Sequence, residues 1–306
     1  MLSAWRIIVK ETLSRMSNKP PYQVSVIIPT LAEAARRETL LAAIDCILRQ
    51  HDVAALPIVV VNGNRYDAIL REHLESRADI KTLYRDRANV TEAQAFGVEQ
   101  VSTLFFSFLD DDDLYTEDAL AHRLELMNGS PGADFAVTNF YFDREGHRTL
   151  AAEDMSLYAA EPAHSIFEFA WLSSVNCLFR TASIEPTYFR HKVPQMEWTS
   201  LAIRLTRDKR AVFSNRPTGI YFDTPDSASK RNMHTESMIA LMASLRGEGL
   251  PRNTLRLVNK KYAAGLHSLA ERALVSGDRM ASWRYHLRCL ASPAGWPYLS
   301  YTRKLL

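Results

Sequence analysis

The chain has 306 residues, of which 47% are hydrophobic, and its formal net charge is +2. This composition supplies a sizeable apolar core and excludes a wholly disordered chain. The near-neutral balance gives no signal for a nucleic-acid partner.

The N-terminal residues 1–20 are expected to form a short amphipathic leader that ends at Pro20-Pro21. Its apolar core is too short and too charged for a signal peptide, and no apolar run approaches the ~18 residues of a spanning helix. The three cysteines form no CxxC pair, which favours a reducing compartment. The sequence therefore predicts a cytoplasmic protein.

Short apolar strands alternate with helices in the next part of the chain. In order, strands are expected at Val24–Ile28, Ile58–Val61, Ile80–Tyr84 and Leu104–Leu109. Such βα units build a mostly parallel sheet, and ligands bind outside the carboxyl ends of its strands. Three polar segments fall at those ends: Pro29–Glu33, Asn62–Asn64 and Asp110–Asp113.

Four consecutive carboxylates, Asp110–Asp113, follow the last of these strands. At ~4 Å separation two such charges repel by about 4 kcal/mol at an effective dielectric of about 20. Either water screens them in an acidic loop that caps the next helix, expected over residues 116–127, or a divalent cation neutralises them. Mg²⁺ or Mn²⁺ held by one or two carboxylates, water and phosphates suits the second alternative.

Beyond the aspartates the pattern changes to strands near residues 134–142, 174–180 and 219–223, followed by helices over 235–290. Residues 230–306 carry 13 Lys and Arg against 4 Asp and Glu, a local charge of +9. This basic extension is either a solvated helix face or a surface for an anionic partner such as a membrane. The aromatic residues beside Arg303 and Lys304 either lie at a membrane interface or pack onto the body.

Three ordered segments together resemble the family 2 glycosyltransferases of the GT-A fold. They are Val24-Ser-Val-Ile-Ile-Pro-Thr30, Ile58-Val-Val-Val-Asn-Gly-Asn64 and Phe108-Leu-Asp-Asp-Asp-Asp-Leu114. The resemblance covers about residues 22–230. It implies an α/β, Rossmann-like fold with a mixed, mostly parallel sheet flanked by helices. The implied domains are the leader over 1–20, a GT-A domain over 21–232 and a basic helical C-terminal extension over 233–306.

The resemblance also implies an activity. It is the transfer of a sugar, commonly with inversion, from a nucleotide-diphosphate donor to a hydroxyl of a glycan or lipid-linked acceptor in cell-surface polysaccharide synthesis. Nucleotide-sugar binding is thereby assigned to Thr30, Glu33, Asn62 and Asp111. Mn²⁺ or Mg²⁺ is assigned to the DxD pair, Asp110 and Asp112, with Asp113 expected at the start of the next helix.

An inverting transfer also needs a general base for the acceptor hydroxyl. Glu197 is the candidate, and its other interpretation is an ordinary acidic residue at a helix start. Trp198 stands where family members usually have the catalytic Asp, which leaves Asp223 and Asp226 as alternatives. The loop over residues 221–231 matches a family loop that closes over the diphosphate, although its basic pair at 230–231 is equally compatible with solvation.

Two other functions are compatible with the sequence. Trp198 at the expected base position favours a non-catalytic GT-A-like binding module. A phosphatase or phosphotransferase would use Asp110 as nucleophile and Asp112 as acid, but such enzymes expect Gly-Thr directly afterwards, where this chain has Asp113-Leu114.

Overall fold

The computed structural model describes residues 22–190, 193–223 and 232–306. The predicted leader over 1–20 lies outside these ranges, as do Asp226 and the basic pair at 230–231. The strands are β1 (Val24–Thr30), β2 (Ala55–Asn62), β3 (Lys81–Arg85), β4 (Phe105–Phe108), β5 (Leu114–Tyr115), β6 (Phe135–Arg144), β7 (His147–Leu150), β8 (Cys177–Arg180) and β9 (Ala211–Phe222).

Helices flank and follow these strands. They are α1 (Arg37–Leu48), α2 (Ala68–Ser76), α3 (Val90–Glu99), α4 (Ala119–Gly129), α5 (Ser156–Ala159), α6 (Pro162–Ser165), α7 (Glu197–Leu205), α8 (Asn232–Leu245), α9 (Arg252–Val275), α10 (Arg279–Leu290) and α11 (Thr302–Leu305). Short 3₁₀ turns lie at Ala34–Arg36, Ser174–Asn176, Pro186–Phe189 and Trp296–Tyr301.

The strands of the described ranges form one sheet in the order β3-β2-β1-β4-β8-β6-β9-β5, with β7 paired to the free part of β6. The first four strands in this order are mutually parallel, and β6 and β9 are parallel to each other. β8 is antiparallel to both β4 and β6. The expected mixed, mostly parallel sheet is therefore confirmed.

Complete burial explains why the N-terminal strands could be recognised from their apolar runs. All seven residues of β1 are buried, and successive side chains contribute to the cores on opposite faces of the sheet. Ile27 packs on one face with β4 and α3. The helix comes close because residue 97 is glycine: a Cβ there would lie 2.5 Å from Cγ2 of Ile27.

Several elements differ from the sequence expectations. β9 runs from Ala211 to Phe222 instead of starting near residue 219, because its first half is only partly buried and lacks a clear apolar pattern. β7 is exposed throughout, and its residues therefore show no alternation of apolar and polar side chains that would predict a strand. The helix after the aspartates begins at Ala119, with the short strand β5 before it.

The C-terminal residues form the expected helices α8, α9 and α10. Leu266 and Leu269 of α9 share a small core with Ile239 of α8 and Cys289 of α10. These two leucines therefore form part of the core between the C-terminal helices. Across residues 22–190, 193–223 and 232–306, no helix combines the length and apolar character needed to span a bilayer.

Candidate active site

A cavity of about 700 Å³ opens at the carboxyl ends of β1, β2 and β4. Its walls bring together six of the seven predicted site residues. The described lining is Pro29, Thr30, Leu31, Glu33, Arg36, Asn62, Arg65, Ala88, Asn89, Val90, Asp110, Asp111, Asp112, Tyr221 and Phe222. Glu197, the seventh, is not in this lining.

The end of β1 is tied directly to the acidic loop. The Thr30 hydroxyl donates to Oδ2 of Asp111 at 2.6 Å and accepts the N–H of Ala32 at 2.9 Å. Ala32 adopts a left-handed conformation with φ of 50°, which turns the chain sharply after the strand. Residues 81 positions apart in the sequence are therefore held in one wall of the cavity.

The ends of β2 and β3 form the adjoining wall. The Asn62 side-chain oxygen accepts the N–H of Asn89 at 3.0 Å, and Asn89 caps α3 through its own side chain. Between them Gly63 has φ of 107°, and a Cβ at this position would lie 2.9 Å from that of Ala88. Asn62 thus shapes the cavity by ordering the following segment.

Two arginines in the cavity were not predicted from the sequence. Arg36 Nη1 lies 3.1 Å from Oδ1 of Asp111 and 2.5 Å from Oδ2 of Asp112. Arg65 Nε lies 3.2 Å from Oε1 of Glu33. Their position in the sequence could have indicated them, because each lies in the connection that follows β1 or β2, at the edge where an anionic ligand is expected. Both side chains place positive charge where a diphosphate could accept hydrogen bonds.

The four aspartates have different environments. Oδ2 of Asp110 accepts the Ser174 hydroxyl at 2.8 Å. Burial and then the neighbouring charge of Asp112 raise the pKa of Asp110 to about 7, and the charge of Glu197 acts in the same direction. Burial also raises the pKa of Asp111, although the Thr30 hydroxyl and Arg36 oppose this shift.

The assignment of Asp113 to the helix start is wrong. Its side chain is buried: Oδ1 accepts the N–H of Phe222 at 3.0 Å, and Oδ2 has no hydrogen-bond partner among the described residues. Burial, followed by the charge of Asp110, raises its pKa well above the usual value. Asp113 therefore joins the acidic loop to the end of β9, while Asp118 holds the N-cap position of α4.

These carboxylates fit a divalent cation through their donor chemistry. Hard oxygen ligands lie at the cavity wall, and a cation would stabilise the charged form of Asp110, which burial and then the charge of Asp112 disfavour. Within the described ranges no group of three or more His, Cys, Asp or Glu forms a complete metal site. A cation here would complete its shell with water and substrate phosphates, as Mg²⁺ commonly does.

Arg123 organises the interior behind the aspartates. Its side chain is fully buried and donates to the hydroxyls of Thr218 and Ser107 and to the carbonyl of Cys177, at 2.7 to 3.2 Å. Its guanidinium also lies 4.3 Å from the ring centre of Tyr115. These contacts join β4, β8 and β9 below the cavity.

Glu197 occupies the first turn of α7, where its carboxylate Oε1 accepts the N–H of Gln195 at 2.8 Å. Its negative charge helps to raise the pKa of Asp110, although Glu197 does not line the cavity. Trp198 turns inward instead, with its ring 5.4 Å from that of Phe108.

Asp223, an alternative candidate for the base, forms an ion pair with Arg144. Oδ2 accepts Nε–H of Arg144 at 2.7 Å, and the side chain is 9% exposed. An ion-paired carboxylate is a weaker base than an unpaired one. Asp223 is thus held in an ion pair, whereas the Glu197 carboxylate accepts a backbone N–H.

Comparison with known proteins decides the family. The model for "Glycosyl transferase family 2" matches residues 25–189, which include β1 to β4 and the acidic loop. The chain belongs to glycosyl transferase family 2. The resemblance inferred from the three ordered segments is confirmed.

Two relatives of this family 2 protein are both described as uncharacterized glycosyltransferases. An uncharacterized glycosyltransferase of Rickettsia typhi is 28% identical over 139 residues, covering 45% of this chain and 41% of the relative. A second, from Rickettsia prowazekii, is 27% identical over 139 residues, with the same coverage of 45% and 41%. The chain thus spans about two fifths of the length of the curated relatives it matches.

Solved structures show the same fold. S. aureus TarS 1–349 in complex with UDP-GlcNAc has a TM-score of 0.56 at 13% identity, covering 84% of this chain and 75% of that chain. The complex of the same TarS fragment with UDP has a TM-score of 0.53, also at 13% identity and with 84% and 75% covered. The GT-A architecture expected for this family 2 protein is confirmed.

Proposed function

We propose that the protein transfers a sugar, with inversion and with the help of Mn²⁺ or Mg²⁺, from a nucleotide-diphosphate donor to a hydroxyl of a glycan or lipid-linked acceptor. The proposal includes a role in cell-surface polysaccharide synthesis at the cytoplasmic face of the membrane. The observation that carries it is the cavity at the carboxyl ends of β1, β2 and β4, which joins two arginines to three aspartates. UDP and UDP-GlcNAc are the ligands named for the TarS structures of the same fold, which supports a nucleotide sugar as donor.

The proposed binding mode follows from the two walls of the cavity. Thr30 and Glu33, at and after the end of β1, and Asn62, at the end of β2, are assigned to the nucleotide. Asp111, held by the Thr30 hydroxyl, is assigned to the ribose or the sugar. Arg65 beside Glu33 can donate to the diphosphate once the ligand enters.

Asp110 and Asp112 are the proposed holders of the cation. When bound, the cation supplies charge neutralisation for the diphosphate, whose oxygen must accept an electron pair as it leaves. Ser174 contributes by donating to Asp110 and thereby fixing the orientation of that carboxylate.

Glu197 is the proposed general base. It takes the proton of the acceptor hydroxyl while that oxygen forms a bond to the anomeric carbon. At the same time the bond from this carbon to the diphosphate oxygen breaks, and its electron pair leaves with the nucleotide. The backbone N–H of Gln195 orients the carboxylate before the acceptor arrives. Such general-base assistance contributes about 100- to 10,000-fold in rate.

A donor panel tests this proposal. Purified protein is incubated with UDP-, GDP- and dTDP-sugars and Mn²⁺, and nucleotide release is measured with and without candidate acceptors. We expect release from at least one donor, its loss in Asp112→Asn, and a fall in kcat of about 100-fold or more in Glu197→Gln at unchanged donor affinity. Asp86→Asn, at an exposed position, is the matched control.

Two results would contradict the proposal: a product with retained anomeric configuration, and a donor panel in which no donor binds or reacts. NMR of the product anomer distinguishes inversion from retention, and a retained configuration would exclude Glu197 as the base of a single displacement. The absence of both donor binding and nucleotide release across the whole panel would refute the transferase proposal.

A non-catalytic binding module is the second candidate, because Trp198 packs inward at the usual base position. It requires that donor binding persists without turnover. If Asp112→Asn and Glu197→Gln both left the biological output unchanged, this second function would be preferred.

A further inference from the structure

Exposed apolar and basic side chains occur together at the C-terminus. Met280, Leu287, Trp296 and Leu299 are exposed by 85%, 57%, 72% and 47%. Residues 279–306 contain five Lys and Arg and no Asp or Glu. Single exposed apolar side chains are common, whereas a group of them combined with charge of one sign indicates a binding surface.

The outward side of α10 carries one part of this group. Met280, Arg284 and Leu287 have the spacing i, i+4 and i+7, which places them on one side of a helix. The opposite side is formed by the buried residues Ser282, His286 and Cys289. The exposed apolar side chains of α10 are therefore not part of the bundle core.

The segment over residues 296–306 carries the second part. Trp296, Leu299 and Arg303 are exposed at intervals of three and four residues, while Tyr301 and Leu305 are buried beneath them.

This segment runs back along α10. Arg279 Nη2, at the start of α10, donates to the Leu305 carbonyl at 2.6 Å. Further along the helix, His286 Nε2 and the Thr302 hydroxyl lie 2.8 Å apart. The two exposed stripes thus belong to adjacent antiparallel segments, and we call them together the basic apolar face: Met280, Arg284, Leu287, Trp296, Leu299 and Arg303.

We infer that the basic apolar face docks on a bilayer surface containing anionic lipid. Tryptophan and leucine side chains at headgroup depth beside arginines are the pattern of helices that lie in the membrane interface. The inference rests on the proposed function only for its purpose, which is to bring the active site to a lipid-linked acceptor. Docking itself requires no sugar transfer.

Charge argues against a second copy of the chain as the occupant. A two-fold dimer through this face would place each patch against its own counterpart. The basic apolar face would then oppose Arg284 and Arg303 to the same two arginines, with no carboxylate among its own residues. Anionic headgroups supply the missing negative charge and attract each nearby cation.

Vesicle sedimentation tests the docking. Vesicles of phosphatidylcholine mixed with phosphatidylglycerol are compared with vesicles of phosphatidylcholine alone, using the full chain. Removing two cations with Arg284→Gln/Arg303→Gln should lower the partition coefficient about 30-fold, equivalent to about 2 kcal/mol at about 1.4 kcal/mol per tenfold. Trp296→Ser/Leu299→Ser should also reduce binding. Its effect should persist at high salt to a larger extent than that of the arginine variant, because salt screens charges and leaves apolar contacts intact.

The control is Arg252→Gln/Arg256→Gln, which removes the same charge from exposed positions on α9. It should change the partition coefficient by less than about threefold, because these residues lie outside the docking face. An equal loss in the control would overturn the inference, as would absent or lipid-independent binding of the unaltered chain. Dimers in analytical ultracentrifugation that the face variants dissociate would assign the face to a second copy instead.

Donor hydrolysis without vesicles separates this inference from the proposed function. The face variants should release nucleotide at the unaltered rate in solution, whereas Asp112→Asn should lose release and still bind vesicles. Loss of nucleotide release in the face variants would contradict a purely docking role.

Discussion

Replacing Asp110 with Asn should stabilise the metal-free protein at pH 8 and leave it nearly unchanged at pH 4. In the folded protein the pKa of Asp110 is raised from 3.8 to about 7, so folding favours the protonated carboxyl. The stability that the protonated Asp110 carboxyl contributes is fully present below about pH 4 and is lost as the pH rises through 7. Asn keeps an oxygen for the Ser174 hydroxyl and carries no charge.

The magnitude follows from the size of that shift. A shift from 3.8 to about 7, at about 1.36 kcal/mol per pKa unit, gives an upper limit of about 4 kcal/mol. Asp110 retains some solvent contact, so we expect about 2 kcal/mol of added stability in the variant at pH 8. Burial also raises the pKa values of Asp113 and Asp111, and the variant should therefore keep part of the pH dependence of its stability.

Urea unfolding in EDTA between pH 4 and pH 8 measures the effect. The unaltered protein should lose free energy of unfolding as the pH rises, Asp110→Asn should lose less, and the exposed-site control Asp86→Asn should follow the unaltered protein. Mn²⁺ at about 100 times its Kd should restore about 2.7 kcal/mol to the unaltered chain and little to Asp110→Asn. A pH-independent difference between variant and unaltered protein would refute the electrostatic reasoning.

Three further substitutions test the surroundings of the site. Arg123→Met should lower the free energy of unfolding in urea by more than about 3 kcal/mol because buried acceptors lose their donor, whereas Arg216→Met at an exposed position should change it by less than about 0.5 kcal/mol. Gly219→Ala should cost about 2 kcal/mol or more in the same assay, since its Cβ would meet a backbone oxygen of Val175; unaltered stability would contradict this. Arg36→Gln should raise the Mn²⁺ affinity of the nucleotide-free protein about fivefold in calorimetry by removing a competing cation from Asp112, and unchanged affinity would show that the two cations do not compete.

The strands that carry the site could be predicted because burial on both faces leaves a continuous apolar signal. The strands β1, β2 and β4 agree with the predicted strands to within a few residues, because apolar runs such as Val24–Ile28 mark them. Topology then places their carboxyl ends at one edge, which is why Thr30, Asn62 and Asp111 were expected to lie together. The structure brings all three to one cavity, while their individual roles stay proposals.

Long-range partners could not be predicted from local patterns. Asp113 has the sequence position of a helix-capping residue, yet it binds the backbone of Phe222, 109 residues away. Arg36 and Arg65 resemble ordinary solvated cations until the fold places them beside carboxylates. The inward rotation of Trp198 depends on Phe108 of another element, which no spacing within α7 could have indicated.

The packing of Trp198 constrains how this active site can change. Its ring packs against Phe108 and anchors the first turn of α7, which also contains Glu197, to β4. An Asp introduced at 198 would remove this aromatic contact and place a carboxylate against the edge of the apolar core, at a cost in stability. A single substitution at 198 therefore cannot restore the usual family residue without losing the contact between α7 and β4, and it would need a compensating change around Phe108.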